Sequence, residues 1–442
     1  MLKNYKKLLF HSALTLTITS ALSYIAGLIR DKSLAYTFGT GSALDTYNAS
    51  FIWPDFILAV FVTGALQAAF IPLFTKNREK SAKEAFKYAQ NILSYFLLLL
   101  SVAGIIFAIA LPFIVDYLVP GFSLEQKRQY ILLTRLMLLS PLLFALSNTI
   151  GNMLVSFRDF LWYGLSPVLY NIGIITGIFL FVPKFGNLGL VFGTILGALM
   201  HFLIRAVPAF LRGFRIRLNL KYSQDIKDTI RLMAPKIIQL GMWQLLLWWF
   251  IKVASALPEG SISTYSFARN FQSVPVSLIG IAIATSAFPL LSEKFIFQKF
   301  TSFKKILIKK SFLILGITTL AAIFLAIISR FLINILLSGG NFTQEMVKAT
   351  ASLLLVYCIS IPFESLTHIL ARAHYAMKNT IIPSTIHVST ILITMLLTSL
   401  LVKTYGLYSI PISFAIGLAI QVGLLTFSLT ILFRKKLAKC NP

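Results

Sequence analysis

The 442-residue sequence predicts an all-α integral membrane protein with twelve transmembrane helices in two pseudo-symmetric six-helix lobes around a central cavity. Three observations carry this prediction. Apolar residues make up 57% of the chain and charged residues only 12%, where soluble domains carry roughly a quarter charged. Twelve stretches are apolar over the length of about 20 residues that a bilayer core requires. Finally, landmarks of the first half return in the second at a nearly constant offset.

The apolar stretches run over 8–29, 46–74, 89–118, 130–156, 163–183, 187–211, 231–256, 262–291, 311–337, 347–375, 380–402 and 405–433. The first lacks an Ala-x-Ala-like site and runs into Arg30-Asp31, so it is expected to stay in the protein rather than be cleaved as a signal peptide. Cys358 lies in an apolar run and Cys440 in a basic tail, which gives neither a disulfide framework nor metal-ligand spacing. The five histidines are scattered, and there is no His-Glu-x-x-His, Gly-x-Ser-x-Gly or P-loop. No metal, no cofactor and no ATP hydrolysis by this chain are expected. The loop carboxylates Asp31, Asp45, Asp116, Glu125, Glu259 and Glu345 are too few for a membrane glycosyltransferase with a paired acid and base, so an enzyme is disfavoured.

A net charge of +26 would suggest nucleic acid in a soluble protein. Here the basic residues cluster between apolar runs, where they meet anionic headgroups and orient the chain, so membrane lipids are the expected partners and nucleic acid is not. With a cytoplasmic N-terminus, 27 Lys and Arg fall on the inside and 8 on the outside, the remaining five lying within spans. That bias places both termini in the cytoplasm.

The second stretch reads Tyr47-Asn-Ala-Ser-Phe51, then Pro54 and Ala-Phe-Ile-Pro72-Leu; the eighth reads Tyr265-Ser-Phe-Ala-Arg269, then Pro275 and Ala-Phe-Pro289-Leu. Pro141, Pro167 and Gly189-Leu190 are matched by Pro362, Pro383 and Gly406-Leu407 at offsets of 221, 216 and 217. The chain therefore reads as a duplicated six-helix unit: a lobe over 1–211, a cytoplasmic linker over 212–230 and a lobe over 231–442. Parallel repeats of this kind place a substrate site between the halves, which makes transport the leading class. Pro54 and Pro275 lie near the middle of their spans, where each removes a backbone bond and bends the helix; they are the candidate hinges of a rocking motion.

Ionisable residues inside the membrane are costly enough to mark function by default. Arg30 closes the first span, Asp45 and Asp55 flank the start of the second, Lys236 and Lys252 lie in the seventh, and Arg269, Asn270 and Gln272 precede Pro275 in the eighth. Arg30, Asp45 and Arg269 are expected in the cavity. Lys236 either joins them or snorkels, as Lys252 and Arg330 are expected to do. Glu364, His368 and Arg372 share one helix face and read as an interhelical network rather than a proton relay.

In this pattern the chain resembles the MurJ (MviN) family of lipid II flippases, within the multidrug/oligosaccharidyl-lipid/polysaccharide exporter superfamily. The matching stretches are Gly27-Leu-Ile-Arg30-Asp31, Thr37-Phe-Gly-Thr-Gly-Ser-Ala-Leu-Asp45, Pro54 with Gly64-Ala65 and Ala69-Phe-Ile-Pro72, Pro120-Gly-Phe122, Pro167-Val-Leu-Tyr-Asn171, Pro275 through Phe288-Pro289-Leu-Leu-Ser, and Gly339-Gly-Asn-Phe-Thr343. The resemblance implies a monomeric protein of the bacterial inner membrane. Its cationic cavity would carry lipid II, or a similar undecaprenyl-pyrophosphate lipid, across the bilayer by alternating access. Arg30 and Asp31 match the family's Arg-Asp pair, and Asp45 its acidic residue in the second helix. The chain departs at Tyr24, at Leu58 and at Asn270, where the family carries arginine, with Arg269 one residue away. One residue turns a helical side chain by about 100°, so Arg269 cannot simply take over the role. The family usually ends with two further helices, whereas this sequence stops after twelve stretches. A sodium site implied by some members uses acids in helices seven and eleven, and 231–256 and 380–402 contain none.

Two other functions remain open at this point: a related exporter of another lipid-linked oligosaccharide or small molecule, and a degenerate scaffold that has lost transport. The topology can be tested by cysteine labelling. In a chain freed of Cys358 and Cys440, a cysteine at Ser81 or Ser302 is expected to react with an impermeant maleimide only after spheroplasts are opened. Labelling in intact spheroplasts would reverse the assignment.

Overall fold

A computed structural model describes residues 2–61 and 65–438, with side chains for 14–60, 70–231, 233 and 237–434. The described residues form helices joined by short turns, with no β-strand among them. Such a chain suits lipid, where every backbone polar group needs a partner within its own segment. The chain divides into two compact units, Met1–Trp248 with Gly339–Asn341, and Trp249–Ser338 with Phe342–Pro442.

The first unit contains α1 (Leu2–Phe38), α2 (Ser42–Ser50), α3 (Ile52–Phe61), α4 (Ala65–Lys80), α5 (Ala82–Leu118), α6 (Leu124–Met137), α7 (Leu139–Ser156), α8 (Phe160–Thr176), α9 (Val182–Phe185) and α10 (Asn187–Leu211). A π-helical segment, Gly177–Phe181, joins α8 to α9. Helix α11 (Gln224–Ser255) begins in this unit and ends in the second. The boundary between the compact units falls within α11. The cause is local: Asn77 donates to Asp225 at 2.9 Å and the Tyr88 hydroxyl pairs with that of Thr229 at 2.9 Å, which ties the start of α11 to α4 and α5.

The second unit continues with α12 (Ser261–Pro275), a π-helical segment Val276–Ile281, α13 (Ala282–Ile296), α14 (Phe300–Leu337), α15 (Gln344–Cys358), α16 (Ser360–Ala376), α17 (Ile381–Tyr405) and α18 (Ser409–Ala438). Among the described residues eight helical stretches are long and apolar enough to cross a membrane, or nine with the pair α15 and α16, bent by 43°, taken as one. Twelve crossings are not each resolved by that measure. The 46–74 stretch is divided among helices of 9, 10 and 16 residues. Residues 381–434 register as one 54-residue stretch, although α17 and α18 turn at Gly406 and pack side by side.

The duplication is visible in backbone detail. Helices α6 and α7 break at Leu138, three residues before Pro141, and α15 and α16 break at Ile359, three before Pro362. Ser123 and Thr343 cap α6 and α15 by accepting the amides of Gln126 and Met346. The turns before α10 and α18 are made by Gly186 (φ 56°, ψ −137°) and Gly406 (φ 52°, ψ −129°), a conformation essentially closed to residues with a Cβ. Gly186, rather than Gly189, is thus the counterpart of Gly406.

Pro54 follows the break at Phe51, whereas Pro275 lies in the middle of the continuous helical run Ser261–Ile296. Pro54 lies in the first turn of α3, where backbone amides lack intrahelical partners and a missing N–H costs little. Pro275 closes α12 and the wider π turn follows, which accommodates the lost bond and the ring.

In the first unit the basic segments meet at one end. Arg78 donates to the Ser156 carbonyl at 3.0 Å and lies over Phe157, and Arg212 pairs with Asp159 at 2.6 Å. The other end gathers Lys127 with Asp116, Asn187 with Gln129, and Asn341 with the carbonyls of Tyr36 and Thr37.

Glycines spaced by four residues set the packing of α8 and its π segment on α10. A Cβ on Gly173 would fall 2.2 Å from the Gly197 Cα, and one on Gly193 would fall 2.6 Å from the Gly177 Cα. Without side chains the two backbones approach closely, the small-xxx-small mode of membrane helix packing. Gly193→Ala is therefore expected to destabilise the protein by roughly 1–3 kcal/mol, read as a lowered unfolding temperature in detergent. Gly104→Ala, with nothing within 4 Å of the added methyl, is expected to leave it unchanged or slightly raised.

Candidate functional site

The first unit holds a polar clamp built on Arg30, near the far end of α1. Its Nε and Nη2 both donate to one oxygen of Asp31, at 3.0 and 2.7 Å, and Nη1 donates to the Asn171 side-chain oxygen of α8 at 3.0 Å. Asn171 is held in turn by its own amide, which donates to the Pro167 carbonyl. Adjacent residues on a helix do not face each other, so the guanidinium folds back along the helix to reach Asp31. Arginine has five N–H donors. Three are committed here, and one on each terminal nitrogen remains. The Arg30 side chain is 26% exposed and that of Asp31 9%, so the fork is steadied by the carboxylate while its outer edge stays accessible.

Asp45 lies in the first turn of α2 and is buried, where a carboxylate is favoured by the helix dipole. Two residues further, the Tyr47 hydroxyl pairs with that of Thr194 on α10 at 2.8 Å. The accessible carboxylate of Asp55 opens α3.

The second unit holds a different arrangement around Arg269 of α12. The guanidinium makes a two-pronged pair with Glu364 of α16, Nη2 to Oε1 at 2.8 Å and Nη1 to Oε2 at 3.1 Å. Gln272, one turn along α12, donates to the same carboxylate at 2.9 Å and to the Ser360 hydroxyl at 3.0 Å. The Phe414 ring lies 5.0 Å from the guanidinium carbon. Both charged side chains are largely buried. Asn270, one residue on, is exposed, as the helical rotation between neighbours requires.

The Glu364, His368 and Arg372 stripe divides its bonds among helices. Glu364 goes to α12, while Arg372 donates to Thr285 of α13 at 3.1 Å and to the carbonyl of His368. Lys252 lies 5.2 Å from the Trp249 ring. The Lys236 side chain lies outside the described residues. Two positions where arginine was expected from the resemblance are filled otherwise: Tyr24 is exposed on α1, and Leu58 packs against the apolar cluster around Phe70, Phe74 and Ile57.

Two residues assigned no role from the sequence organise these sites. Asn171 locks α8 to Arg30; its signal was its place at the end of Pro167-Val-Leu-Tyr-Asn171. Arg205 of α10 is almost fully buried, reaching the carbonyls of Ser147 and Tyr163 and the side chain of Asn148 and lying 4.6 Å from the Tyr163 ring. It ties α7, α8 and α10 together through neutral acceptors.

Long apolar helices with arginines held among them define a polytopic membrane protein. A family model described as lipid II flippase MurJ matches residues 34–438, and the chain belongs to that family. The probable lipid II flippase MurJ of Thermotoga maritima is 29% identical over 439 residues, covering 97% of this chain and 87% of that protein. That of Bdellovibrio bacteriovorus is 28% identical over 441 residues, covering 96% and 82%. Among solved structures, lipid II flippase MurJ in an inward closed conformation matches with a TM-score of 0.81 at 24% identity, over 94% of this chain and 87% of that one. An inward-facing multidrug resistance MATE family transporter of the MOP superfamily matches at 0.79 and 14% identity, over 97% and 100%. At these identities the structural matches speak for the fold.

Breaking a buried ion pair strands a charge in low dielectric, whereas removing both partners need not destabilise. Glu364→Ala is accordingly expected to cost about 3–5 kcal/mol, seen as a lower unfolding temperature in detergent. The double variant Arg269→Met/Glu364→Met is expected to recover most of that loss. Equal unfolding of Glu364→Ala and the unmodified protein would show that the pair carries no structural weight.

Proposed function

We propose that this protein is a flippase of the bacterial cytoplasmic membrane, carrying the undecaprenyl-pyrophosphate-linked peptidoglycan precursor lipid II across the bilayer by alternating access. The observation that carries the reading is the Arg30 clamp, a guanidinium positioned by Asp31 and Asn171 with donors to spare. A pyrophosphate loses much of its hydration on entering a low-dielectric core, and fixed cations with free N–H groups replace that hydration. Arginine suits the task because its planar fork meets two phosphate oxygens at once. Asp31 and Asn171 hold the fork, so little side-chain entropy is lost on binding.

Asp45 and Asn270 join Arg30 and Asp31 as substrate-facing residues in this reading, with Lys236 and Arg269 adding positive charge. Arg269 contributes less, because Glu364 already engages both prongs of its guanidinium. Pro54 and Pro275 serve as hinges: Pro54 follows the break at Phe51, and Pro275 is followed by a π turn that accommodates its lost bond. The halves are two lobes with a cytoplasmic linker at 212–230 and both termini cytoplasmic. The gathering of Arg78, Arg158, Asp159 and Arg212 segments at one end of the first unit supports that grouping. The protein works as a monomer, without a cofactor and without enzymatic turnover.

The test is lipid II translocation in flippase-depleted cells expressing variants at matched membrane levels. Arg30→Ala is expected to abolish flipping while insertion is normal, and Arg30→Lys to restore only part of it, because a point charge lacks the fork geometry. Arg269→Ala is expected to be milder. Full activity in Arg30→Ala would place the headgroup elsewhere.

A further inference from the structure

The chain between α10 and α11 is an extended strap, and it is held in place with unusual care for a connector. From α5, Gln90 donates to the Arg215 carbonyl at 2.8 Å, Asn91 to the Lys221 carbonyl at 2.6 Å and Tyr95 to the Leu220 carbonyl at 2.9 Å. The Asn219 amide donates to the Ser94 hydroxyl at 2.7 Å. Residues 90, 91, 94 and 95 form one face of α5, so the strap lies across a single face of that helix. Phe214 anchors its start, fully buried against Phe86.

What the strap presents outward is a mixture of cations and apolar side chains. Arg215, Arg217 and Lys221 are exposed, and none makes an ion pair among the described residues. Arg215 bonds only to the carbonyls of Phe210 and Phe214. Interspersed with and following them, Leu218, Leu220 and Tyr222 are 79, 50 and 68% exposed. A water-facing linker gains nothing from exposing three large apolar groups. Buried against protein, unpaired arginines would be costly. Alternating cations and apolar groups suit the headgroup boundary of a bilayer, where the apolar groups dip among acyl chains and the cations meet phosphates.

Position along α5 agrees. The polar first turns carry Lys83, Glu84 and Lys87, and the outward apolar residues Leu98, Leu99 and Val102 begin just beyond Tyr95, about one turn or 5 Å further along the helix. The strap therefore sits where α5 passes from water into hydrocarbon.

We infer that residues 215–222 form a docking strap for anionic phospholipid, with Arg215, Arg217 and Lys221 binding headgroup phosphates and Leu218, Leu220 and Tyr222 inserting beneath them. The occupant is bulk anionic lipid, because exposed cations alternate with exposed apolar side chains at the level where α5 turns from polar to apolar. The inference rests on the strap's geometry and is independent of the flippase reading.

The test uses the full-length protein in mixed micelles and nanodiscs. Binding of short-chain phosphatidylglycerol, followed by native mass spectrometry, is expected to exceed that of phosphatidylcholine. Each basic residue near an anionic surface contributes roughly fivefold, so Arg215→Gln/Arg217→Gln/Lys221→Gln is expected to lose about a hundredfold of that preference. Arg215→Lys/Arg217→Lys keeps the charge and is expected to keep the preference. In nanodiscs, a fluorophore on Tyr222→Cys, in a chain freed of the native cysteines, is expected to be quenched by lipids carrying a nitroxide near the headgroup. Quenching with equal binding of both lipids would remove the phosphate contacts from the proposal. An unquenched probe would place the strap in water, available to a protein partner, and a triple variant that keeps its phosphatidylglycerol preference would overturn the site.

Discussion

A guanidinium enclosed by apolar helices cannot be left to water, and much of the polar architecture of this protein follows from that constraint. Three arginines meet it in three ways. Arg30 folds back on its neighbour Asp31 and keeps donors in reserve. Arg269 spends both prongs on Glu364, a carboxylate from another helix. Arg205 is satisfied by two carbonyls, an amide side chain and an aromatic face. The first is the proposed recognition element, the second a rivet between α12 and α16, and the third a clasp that gathers α7, α8 and α10. Charge alone does not distinguish them; the commitment of their donors does.

This difference bears on how one unit can serve as a moving part. A rivet such as Arg269 with Glu364 and Gln272 makes two helices travel together, since separating them would strand a charge. The glycine ladder of α8 and α10 does the same by shape, because backbones in contact have no side chains to slide past one another. Each unit is thereby stiff inside. The helical hydrogen-bond pattern is interrupted at Phe51, Leu138 and Ile359 and widens to a π turn after Pro275.

Much of the fold was legible in the sequence because lipid leaves few choices: a long apolar run must be helical, and a duplicated pattern of prolines implies a duplicated backbone. What escaped was what depends on rotation and partnership. The offset of 217 paired Gly189 with Gly406, but the two turns are made by Gly186 and Gly406, since a turn is defined by φ and ψ and not by neighbouring identities. Spacing alone put Glu364 with His368 and Arg372, whereas its charge is claimed by Arg269, 95 residues away in sequence. The clamp residue Asn171 sat in a quoted motif without a role, because nothing in a single chain says which face of α8 meets α1. The glycine ladder was readable in principle from Gly173, Gly177, Gly189, Gly193 and Gly197, whose spacing of four is a packing signal.

The ends of the helices that lead into basic segments carry a different lesson. Helices α7, α13 and α16 finish in the same way, with the residue after the cap in the left-handed region and its successor reaching back to the last turn: Arg158 (φ 61°), Gln298 (φ 55°) and Lys378 (φ 58°). This closure is normally given to glycine, and a side chain there costs of order 1 kcal/mol. Glycine does occupy the equivalent place after α10, at Gly213. At Arg158 and Lys378 the chain accepts that strain and gains a cation beside the negative end of a helix dipole. In the proposed topology, with these ends cytoplasmic, the capping residue would also act as a topogenic signal. A stabilising exchange to glycine at either position would relax the backbone while weakening the instruction that tells the nascent helix which way to face, so the most stable cap is not the one that best directs assembly.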